Sequence, residues 1–408
     1  MDGVVADGAP LGILEGISHP VSNSPFPAHY PLPAGIRSRM VAGINGLDMH
    51  VLEAGFETPG RPALLLLHGF PELAYSWRKV MGPLAAAGYH VIAPDQRGYG
   101  LTTGADTRFD ADLTPYRMPN LVRDAVGLLS ALGINRLEAI IGHDFGASVV
   151  GWAALIRPDI CRRVAIMSAP FQAPPPLPFR TADEPARPIP PAPTMAIHDD
   201  LGHLDPPRQH YHWYYSQRDA DANMHHARQG VHAFLRAYYH HKSADWAQNR
   251  PHLLTGWTAT ELAKLPTYYV MPRDTGMAET VAVEMPSASE IAANRWLPDA
   301  EMSVYSAEYG RTGFQGGLNW YRVRTVGRYQ PELETWSGRT IDIPACFISG
   351  ASDWGIHQTP GALAAMASTL CTQWRGTHLV PGAGHWVQQE QPDAVVRHLL
   401  DFVRSPAD

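Results

Sequence analysis

Short apolar segments recur along the chain, and most are followed by a glycine-rich turn or by a stretch with helical periodicity. The segments cover residues 63–67, 91–93, 137–141, 164–167, 346–349 and 378–380. Strands that are apolar on both faces are typical of a parallel sheet whose two sides are covered by helices. One such helix is predicted over residues 147–156. The hydrophobic pattern therefore predicts an α/β fold with a mostly parallel sheet.

A hairpin is predicted ahead of the first buried strand. Two short apolar segments flank Asn45-Gly46, a pair that readily adopts the positive φ angles of a two-residue turn. Residues 1–35, which precede it, are rich in Pro, Gly and Ser and show no periodicity. We interpret them as an N-terminal arm.

The alternation of strands and helices is interrupted between residues 171 and 335. Residues 173–193 are rich in proline, which excludes a helix and favours extended backbone. A helix is then predicted over residues 210–246, in a region that carries many His, Tyr and Trp side chains. We predict one α/β domain formed by residues 36–170 and 336–408, with residues 171–335 inserted as a cap.

The composition narrows the classes of partner. Among 408 residues, 39 are acidic and 32 are Lys or Arg, which gives a net charge of −7 and disfavours a nucleic-acid partner. The chain contains no apolar segment long enough to span a membrane and no signal-peptide pattern at its start, so we expect a cytoplasmic protein without a membrane partner. A homodimer is compatible with this composition. Cys161, Cys346 and Cys371 lie in apolar segments and are expected to be buried, reduced thiols.

The segment Gly142-His143-Asp144-Phe145-Gly146 joins a predicted strand to a predicted helix. Small residues on both sides of such a turn force the middle residue onto a sharp elbow above the sheet. The hydrolase form of this turn usually carries Ser, whereas an ionised Asp144 could instead displace a leaving group at a saturated carbon and form an ester. The alternative is that Asp144 only caps the helix that follows.

Three further segments supply groups that would complete this chemistry. The loop at His68-Gly69-Phe70-Pro71 could aim the backbone N–H of Phe70, together with that of Phe145, at an oxyanion. His385, on a glycine-rich loop after the last predicted strand, is a candidate general base, and Asp353 follows the preceding strand and could orient it. The alternatives are a packing turn, a surface histidine and a turn aspartate, respectively.

These motifs resemble the α/β-hydrolase superfamily and, within it, the epoxide hydrolases. The resemblance covers residues 38–405, and its matching segments are His68–Pro71, Asp95-Gln96-Arg97-Gly98-Tyr99-Gly100, Gly142–Gly146, Asp353, Gly384-His385-Trp386 and, in the cap, residues 312–322. It implies an α/β-hydrolase fold with an inserted helical cap, a catalytic triad of Asp144, His385 and Asp353, a small apolar epoxide as substrate, and neither cofactor nor metal.

The resemblance also implies a role for the cap. Epoxide hydrolases use a cap tyrosine in an Asn-Trp-Tyr-Arg segment to donate a hydrogen bond to the epoxide oxygen, which implies this role for Tyr321. Most relatives add a second tyrosine, and counting back from Gln217 places His212 at that position, whereas another gap placement gives Tyr215 or Tyr211. An imidazole there would make ring opening depend on its protonation near pH 6 to 7.

Other aromatic and imidazole side chains receive simpler roles. Trp77, Trp213, Tyr215 and Trp320, with Phe70, are expected to line an apolar pocket. Tyr268 and Tyr269 are expected to be packing residues. The cap histidines are expected to be solvated or packed, without a metal, because no metal-binding spacing accompanies them. They are His210, His212, His225, His226, His240 and His241.

Two rival functions stay open on the sequence. A haloalkane dehalogenase would use the same triad, with Trp213 and His212 as halide donors, but Phe145 stands where that branch carries Trp or Arg. A ligand-binding protein that has lost turnover is the second rival. The intact set of nucleophile, base, acid and ring-opening tyrosine argues against it.

Overall fold

The structure is a computed structural model that describes residues 30–177 and 193–406. Ten strands lie in these residues. They are β1 (Ile36–Ile44), β2 (Leu47–Ala54), β3 (Ala63–Leu67), β4 (His90–Pro94), β5 (Ala139–His143), β6 (Val164–Met167), β7 (Arg208–His210), β8 (Val270–Pro272), β9 (Ala345–Gly350) and β10 (Trp374–Val380).

The α-helices of the described residues fall into three groups along the chain. Before β7 they are α1 (Arg78–Ala86), α2 (Met118–Ala131), α3 (Phe145–Ile156) and α4 (Pro193–Gly202). Between β7 and β9 they are α5 (Tyr211–Tyr214), α6 (Ala220–His225), α7 (Gly230–Lys242), α8 (Ala259–Leu262), α9 (Met277–Ala282), α10 (Ala288–Ala293), α11 (Asp299–Thr312), α12 (Gln315–Thr325) and α13 (Gln330–Leu333). After β9 they are α14 (Ala362–Ala365), α15 (Val387–Glu390) and α16 (Pro392–Arg404).

The main sheet has eight strands in the order β1-β2-β4-β3-β5-β6-β9-β10. Pairs β1–β2 and β2–β4 are antiparallel, and the strands from β4 to β10 pair in parallel. The residues of β3, β5, β6 and β9 are all buried, as expected for a sheet covered on both faces. The predicted α/β-hydrolase fold class is therefore confirmed.

The hairpin at the start of the sheet is also confirmed. Asn45 and Gly46 connect β1 to β2 with φ angles of 50° and 81°, as a two-residue turn between antiparallel strands requires. Just before β1, Tyr30 is buried, and its hydroxyl donates to Asp95 Oδ2 over 3.1 Å. The rest of the predicted arm, residues 1–29, lies outside the described residues.

The helix predicted over residues 210–246 is wrong in its continuity. Arg208–His210 is extended because it pairs with β8, and the following chain forms three separate helices, α5, α6 and α7. Gly230, at φ 80°, separates the last two of them. Residues 178–192 of the proline-rich segment lie outside the described residues, and the boundaries of the cap stay a prediction.

The three cysteines are free and buried, which confirms the prediction of buried, reduced thiols. No helix among the described residues is long and apolar enough to cross a bilayer.

Candidate active site

Asp144 lies on a sharp elbow between β5 and α3. Its φ and ψ are 53° and −116°, a conformation rarely adopted by a residue with a side chain. A Cβ on Gly142 would lie 2.2 Å from the carbonyl oxygen of Gly146, and one on Gly146 would lie 2.2 Å from that of Leu67. The glycines are therefore required by the close approach of the strand and the helix. The Asp144 side chain makes no helix-cap hydrogen bond, so it does not act as the cap considered above.

The structure brings the three predicted triad residues together. His385 Nδ1 lies 3.1 Å from Asp353 Oδ1, and His385 Nε2 lies 3.3 Å from Asp144 Oδ2. The second contact lacks the alignment of a hydrogen bond, which leaves Nε2 without a hydrogen-bond partner among the described residues. Asp353 is held in place by the hydroxyl of Ser349 (3.0 Å) and the N–H of Gly355 (2.7 Å). With Nδ1–H donated to Asp353, the Nε2 lone pair is free to accept a proton from water.

Both triad carboxylates are held in the ionised form. Burial raises the pKa of Asp144, but the nearby His385, Lys242 and His143 outweigh it and hold that pKa well below its usual range. The pKa of Asp353 is likewise lowered, because His385, the Gly355 N–H and Lys242 oppose the effect of burial. Asp144 is therefore a carboxylate at neutral pH and needs no base to become a nucleophile.

One of the two predicted oxyanion donors already contacts the nucleophile. The N–H of Phe70 donates to Asp144 Oδ1 over 3.0 Å. The other, the N–H of Phe145, belongs to the first residue of α3 and so has no carbonyl partner within the helix. Gly69 permits this arrangement, because a Cβ there would lie 2.4 Å from Asp144 Oδ1.

A buried ion pair beneath the triad was missed by the sequence analysis. His143 Nδ1 lies 2.6 Å from Glu72 Oε2, and His143 Nε2 lies 2.7 Å from the backbone carbonyl of His385. A carbonyl only accepts, so Nε2 carries a proton, and the contact with Glu72 then makes His143 a cation. Burial lowers the pKa of His143, but Glu72 outweighs it and raises that pKa; His143 in turn lowers the pKa of Glu72. His143 lies within the segment Gly142–Gly146 and Glu72 directly follows His68–Pro71, and this position beside the motifs was the available signal.

A second buried carboxyl group fixes the loop that carries His385. Glu390 accepts the backbone N–H groups of Gly384 (2.9 Å), Trp386 (2.9 Å) and Ala244 (2.8 Å). Since Ala244 follows helix α7, Glu390 joins the base loop to the segment between β7 and β9. The N–H of His385 donates to the carbonyl of Lys242 over 2.9 Å and adds a second link.

Tyr321 projects from α12 toward the nucleophile. Its ring lies edge-on to Phe145 and Phe70, with centroids 5.0 and 5.5 Å apart. In the described part of the chain its hydroxyl has no hydrogen-bond partner. Burial and the Asp144 charge raise the pKa of Tyr321 well above its ordinary value, so the phenol stays protonated and can donate.

The three candidates for the second donor differ in their surroundings. Their rings lie 5.8 Å (Tyr211), 5.4 Å (His212) and 4.9 Å (Tyr215) from the Tyr321 ring. The Tyr215 hydroxyl donates to Tyr238, and that of Tyr211 donates to Gln358 Oε1 over 3.0 Å.

Electrostatics separate Tyr211 from His212. The pKa of Tyr211 is raised by burial and then by the charge of Asp144, which places its hydroxyl in the field of the nucleophile. The pKa of His212 is lowered well below 6.5 by burial and by Arg324 and His210. This direction disfavours the expected titration of His212 near pH 6 to 7, and its role as a donor stays a prediction.

The residues predicted to line the pocket make different contacts. Tyr215 contacts Phe70, with centroids 5.2 Å apart, in addition to Tyr321. Trp320 packs against the body of the protein, where its Nε1 donates to the carbonyl of Arg97 over 3.0 Å. Trp213 stacks on His198 with centroids 5.4 Å apart, and Trp77 is fully buried.

The cap histidines contact one another in pairs, as in His210 with His212 and His225 with His226. Within residues 30–177 and 193–406, no three His, Cys, Asp or Glu side chains are grouped as metal ligands.

Comparison with known proteins agrees with this architecture. Residues 62–392 match a family described as the alpha/beta hydrolase fold. The chain is 33% identical over 371 residues to epoxide hydrolase A of Mycobacterium tuberculosis, covering 90% of this chain and 98% of that protein. It is 30% identical to epoxide hydrolase B of the same organism, covering 89% and 97%.

Solved structures give the same result. Epoxide hydrolase A from Mycobacterium thermoresistibile superposes with a TM-score of 0.69 and 33% identity, covering 91% of this chain and 100% of that one. An epoxide hydrolase from an endophytic Streptomyces gives a TM-score of 0.69 and 30% identity, with 91% and 96% covered. The chain therefore belongs to the α/β-hydrolase family and, within it, to the epoxide hydrolases.

Proposed function

We propose that the protein converts an epoxide and water into a vicinal diol through a covalent ester on Asp144. The observation that carries the proposal is a buried, ionised carboxylate on the elbow, with the Nε2 of His385 at 3.3 Å and the hydroxyl of Tyr321 left free to donate. The named relatives, which are epoxide hydrolases, support the same reaction class.

The first step opens the oxirane ring. Asp144 Oδ1 is held by the Phe70 N–H, so the other oxygen, Oδ2, attacks a ring carbon. The C–O bond of the ring breaks, and its oxygen takes a proton from a phenol. A strained ether oxygen leaves poorly as an alkoxide, which is why a neutral phenol close by accelerates this step.

We assign the two phenols to Tyr321 and Tyr211. Tyr211 is supported by the influence of Asp144 on its hydroxyl, whereas the Tyr215 hydroxyl is engaged with Tyr238. Tyr211 currently donates to Gln358, and it would turn this donation toward the epoxide oxygen when substrate binds. His212 remains the alternative.

The second step hydrolyses the ester. His385 Nε2 takes a proton from water, and the resulting hydroxide adds to the Asp144 ester carbonyl. Asp353 stabilises the imidazolium that forms, and the N–H groups of Phe70 and Phe145 stabilise the oxyanion on Oδ1. Collapse of this intermediate breaks the ester bond and releases the diol, whose oxygen takes the proton from His385. The proton left on the Asp144 carboxyl group returns to the phenolate, which restores both groups.

Isotope transfer tests the ester mechanism. One turnover in ¹⁸O-labelled water should place the label in the Asp144 peptide, because water attacks the carbonyl carbon of Asp144. Labelled diol with unlabelled Asp144 would instead show direct attack of water on the epoxide. Absence of diol formation across styrene-type, aliphatic and cyclic epoxides would favour the ligand-binding rival.

The dehalogenase rival gains no support from the site. Trp213, its proposed halide donor, is stacked on His198. Release of chloride or bromide from haloalkanes, without diol formation from epoxides, would favour it. The cytoplasmic location and the homodimer stay predictions.

A further inference from the structure

A lysine is buried beside the triad without a counter-ion in contact. Lys242 is the last residue of α7 and is only 2% exposed. Within residues 30–177 and 193–406, its ammonium makes neither an ion pair nor a hydrogen bond. Burying an ammonium without such a partner costs free energy, and buried charges of this kind are typical of binding or catalytic sites.

Aromatic rings surround the ammonium but supply no hydrogen-bond acceptor. Its Nζ lies 5.0 to 5.5 Å from the ring centroids of Tyr238, Tyr268, Tyr269 and Trp386. At this distance the rings attract the cation through their faces, but the three N–H donors stay unused.

One of these rings carries a second unused donor. The Tyr269 hydroxyl is buried and has no hydrogen-bond partner among the described residues. Its ring is the one closest to the Lys242 Nζ, at 5.0 Å. Burial and the charge of Asp353 raise the pKa of Tyr269, which keeps its proton in place. Both the Lys242 ammonium and the neutral Tyr269 phenol require an acceptor.

This pair of donors borders the residues proposed to act on the epoxide. The Tyr269 ring lies 5.1 Å from that of Tyr211, and the Tyr211 N–H donates to the carbonyl of Tyr269 over 2.9 Å. The carbonyl of Lys242 accepts the N–H of His385. The Tyr269 ring therefore borders the proposed ring-opening tyrosine, and the backbone of Lys242 holds the loop that carries His385.

The charged groups around Lys242 already have partners of their own. Asp144 and Asp353 both contact His385. In the cap, His212 and His241 are the titratable groups whose pKa values the charge of Lys242 lowers. An incoming anion could therefore pair with Lys242 without displacing a carboxylate from it.

We propose that Lys242 and Tyr269 form an acceptor subsite for a substrate carboxylate, so that the preferred substrate is an epoxide bearing a carboxylate group. The proposal rests on the proposed function, and it replaces both the small apolar epoxide and the packing role of Tyr269 expected from the sequence. A carboxylate is favoured over a neutral carbonyl because it supplies a contacting negative charge for the Lys242 ammonium as well as the acceptor oxygens.

Matched substrates test the proposal. Terminal epoxides of equal chain length, ending in a carboxylate, a primary amide or a methyl group, are compared over several lengths. At one length or more, the wild-type kcat/KM for the carboxylate should exceed that for the amide by about tenfold or more, as expected for a charge-assisted contact. Equal values at every length would overturn the proposal.

Two variants assign the effect to these residues. Lys242→Met keeps most of the length of the side chain without its charge, and should lower kcat/KM for the carboxylate at least about tenfold more than kcat/KM for the amide. Tyr269→Phe should reduce the preference partly. An equal loss on the carboxylate and the amide in Lys242→Met would show that Lys242 acts on the triad instead, and would overturn the subsite.

A binding measurement separates this proposal from the proposed function. Calorimetric titration of the wild-type protein with hexanoate and with hexanamide needs no turnover, and hexanoate should bind more tightly. The result holds even if no epoxide is hydrolysed, and it replaces the variants if Lys242→Met does not fold. Equal binding of the two compounds would count against the subsite, whatever the outcome for epoxides.

Discussion

The imidazole of His143 donates from Nε2 to the backbone carbonyl of His385 over 2.7 Å. The residue before the nucleophile therefore holds the loop that carries the base. Because the other nitrogen of His143 lies 2.6 Å from Glu72, the contact is charged and buried. Nucleophile, base and the loop that supplies Phe70 are thus joined by one polar network.

Breaking this network should cost both stability and activity. Glu72→Gln leaves the His143 cation without its counter-charge, and we expect the free energy of unfolding to fall by about 3 to 5 kcal/mol. The kcat for diol formation should fall as well, since the His385 loop loses its anchor. Chemical denaturation and steady-state assays measure the two effects.

Glu53→Gln is the matched control for Glu72→Gln. Glu53 is also a buried carboxylate, but it pairs with Arg37, Arg39 and His90 at the edge of the sheet. Its loss should lower stability while kcat stays unchanged. A fall in kcat of the same size in both variants would contradict a specific role for the His143 network.

The stability contributed by His143 should depend on pH. Its folded-state pKa lies above 6.5, so the contribution is fully present below the unfolded-state value of about 6.5 and is lost as pH rises through the folded-state value. The difference in unfolding free energy between wild type and His143→Gln should therefore shrink as the pH rises above about 6.5. A difference that grows with pH would show that the pair is uncharged.

Removing the base should trap the ester. His385→Gln leaves Asp144 able to attack the epoxide but leaves no group to activate water, so steady-state turnover should fall about a thousandfold or more. Intact-protein mass spectrometry should then show an increase of one substrate mass. The companion variant Asp144→Asn should show no adduct, and an adduct on it would place the attack on another residue.

Substitution should distinguish the two proposed donor phenols from neighbouring tyrosines. Tyr321→Phe and Tyr211→Phe should each slow alkylation by about tenfold to a hundredfold, because each removes a donor to the departing oxygen. Tyr215→Phe, which removes a hydroxyl already engaged with Tyr238, is the control and should have little effect. Stopped-flow measurement of the alkylation step checks all three.

His212→Gln decides between the remaining candidates. We expect a change of no more than about threefold and no break in the alkylation rate near pH 6 to 7, since the pKa of His212 lies well below that range. A large loss in His212→Gln with little loss in Tyr211→Phe would reverse the assignment.

The contacts of Glu390 with the loop that carries His385 lead to a further prediction. Glu390→Gln replaces one carboxylate oxygen by an NH₂ group, which cannot accept from Gly384, Ala244 or Trp386. We expect the free energy of unfolding to fall by about 1 to 3 kcal/mol. The ester-hydrolysis rate should fall more than the alkylation rate, because only hydrolysis uses His385. Equal losses in the two rates would contradict a role specific to the base loop.

Much of the fold and of the triad could be predicted from the sequence because the signals are local. Gly142 and Gly146 flank Asp144 within one turn, and the buried runs that became β3 and β6 match their predicted bounds. The order of nucleophile, acid and base along the chain then specified which loops meet, since parallel strands end at the same edge of a sheet.

The sequence by itself determined the sheet, the elbow and the candidates for the reacting groups. Only the tertiary structure decided the surroundings of each cap candidate, because Tyr211 and His212 are adjacent and a one-residue shift exchanges them. Neither the pairing of Glu72 with His143 nor the approach of Lys242 to Tyr269 could be predicted. Each joins residues far apart in the chain, and their proximity follows from packing rather than from any local preference.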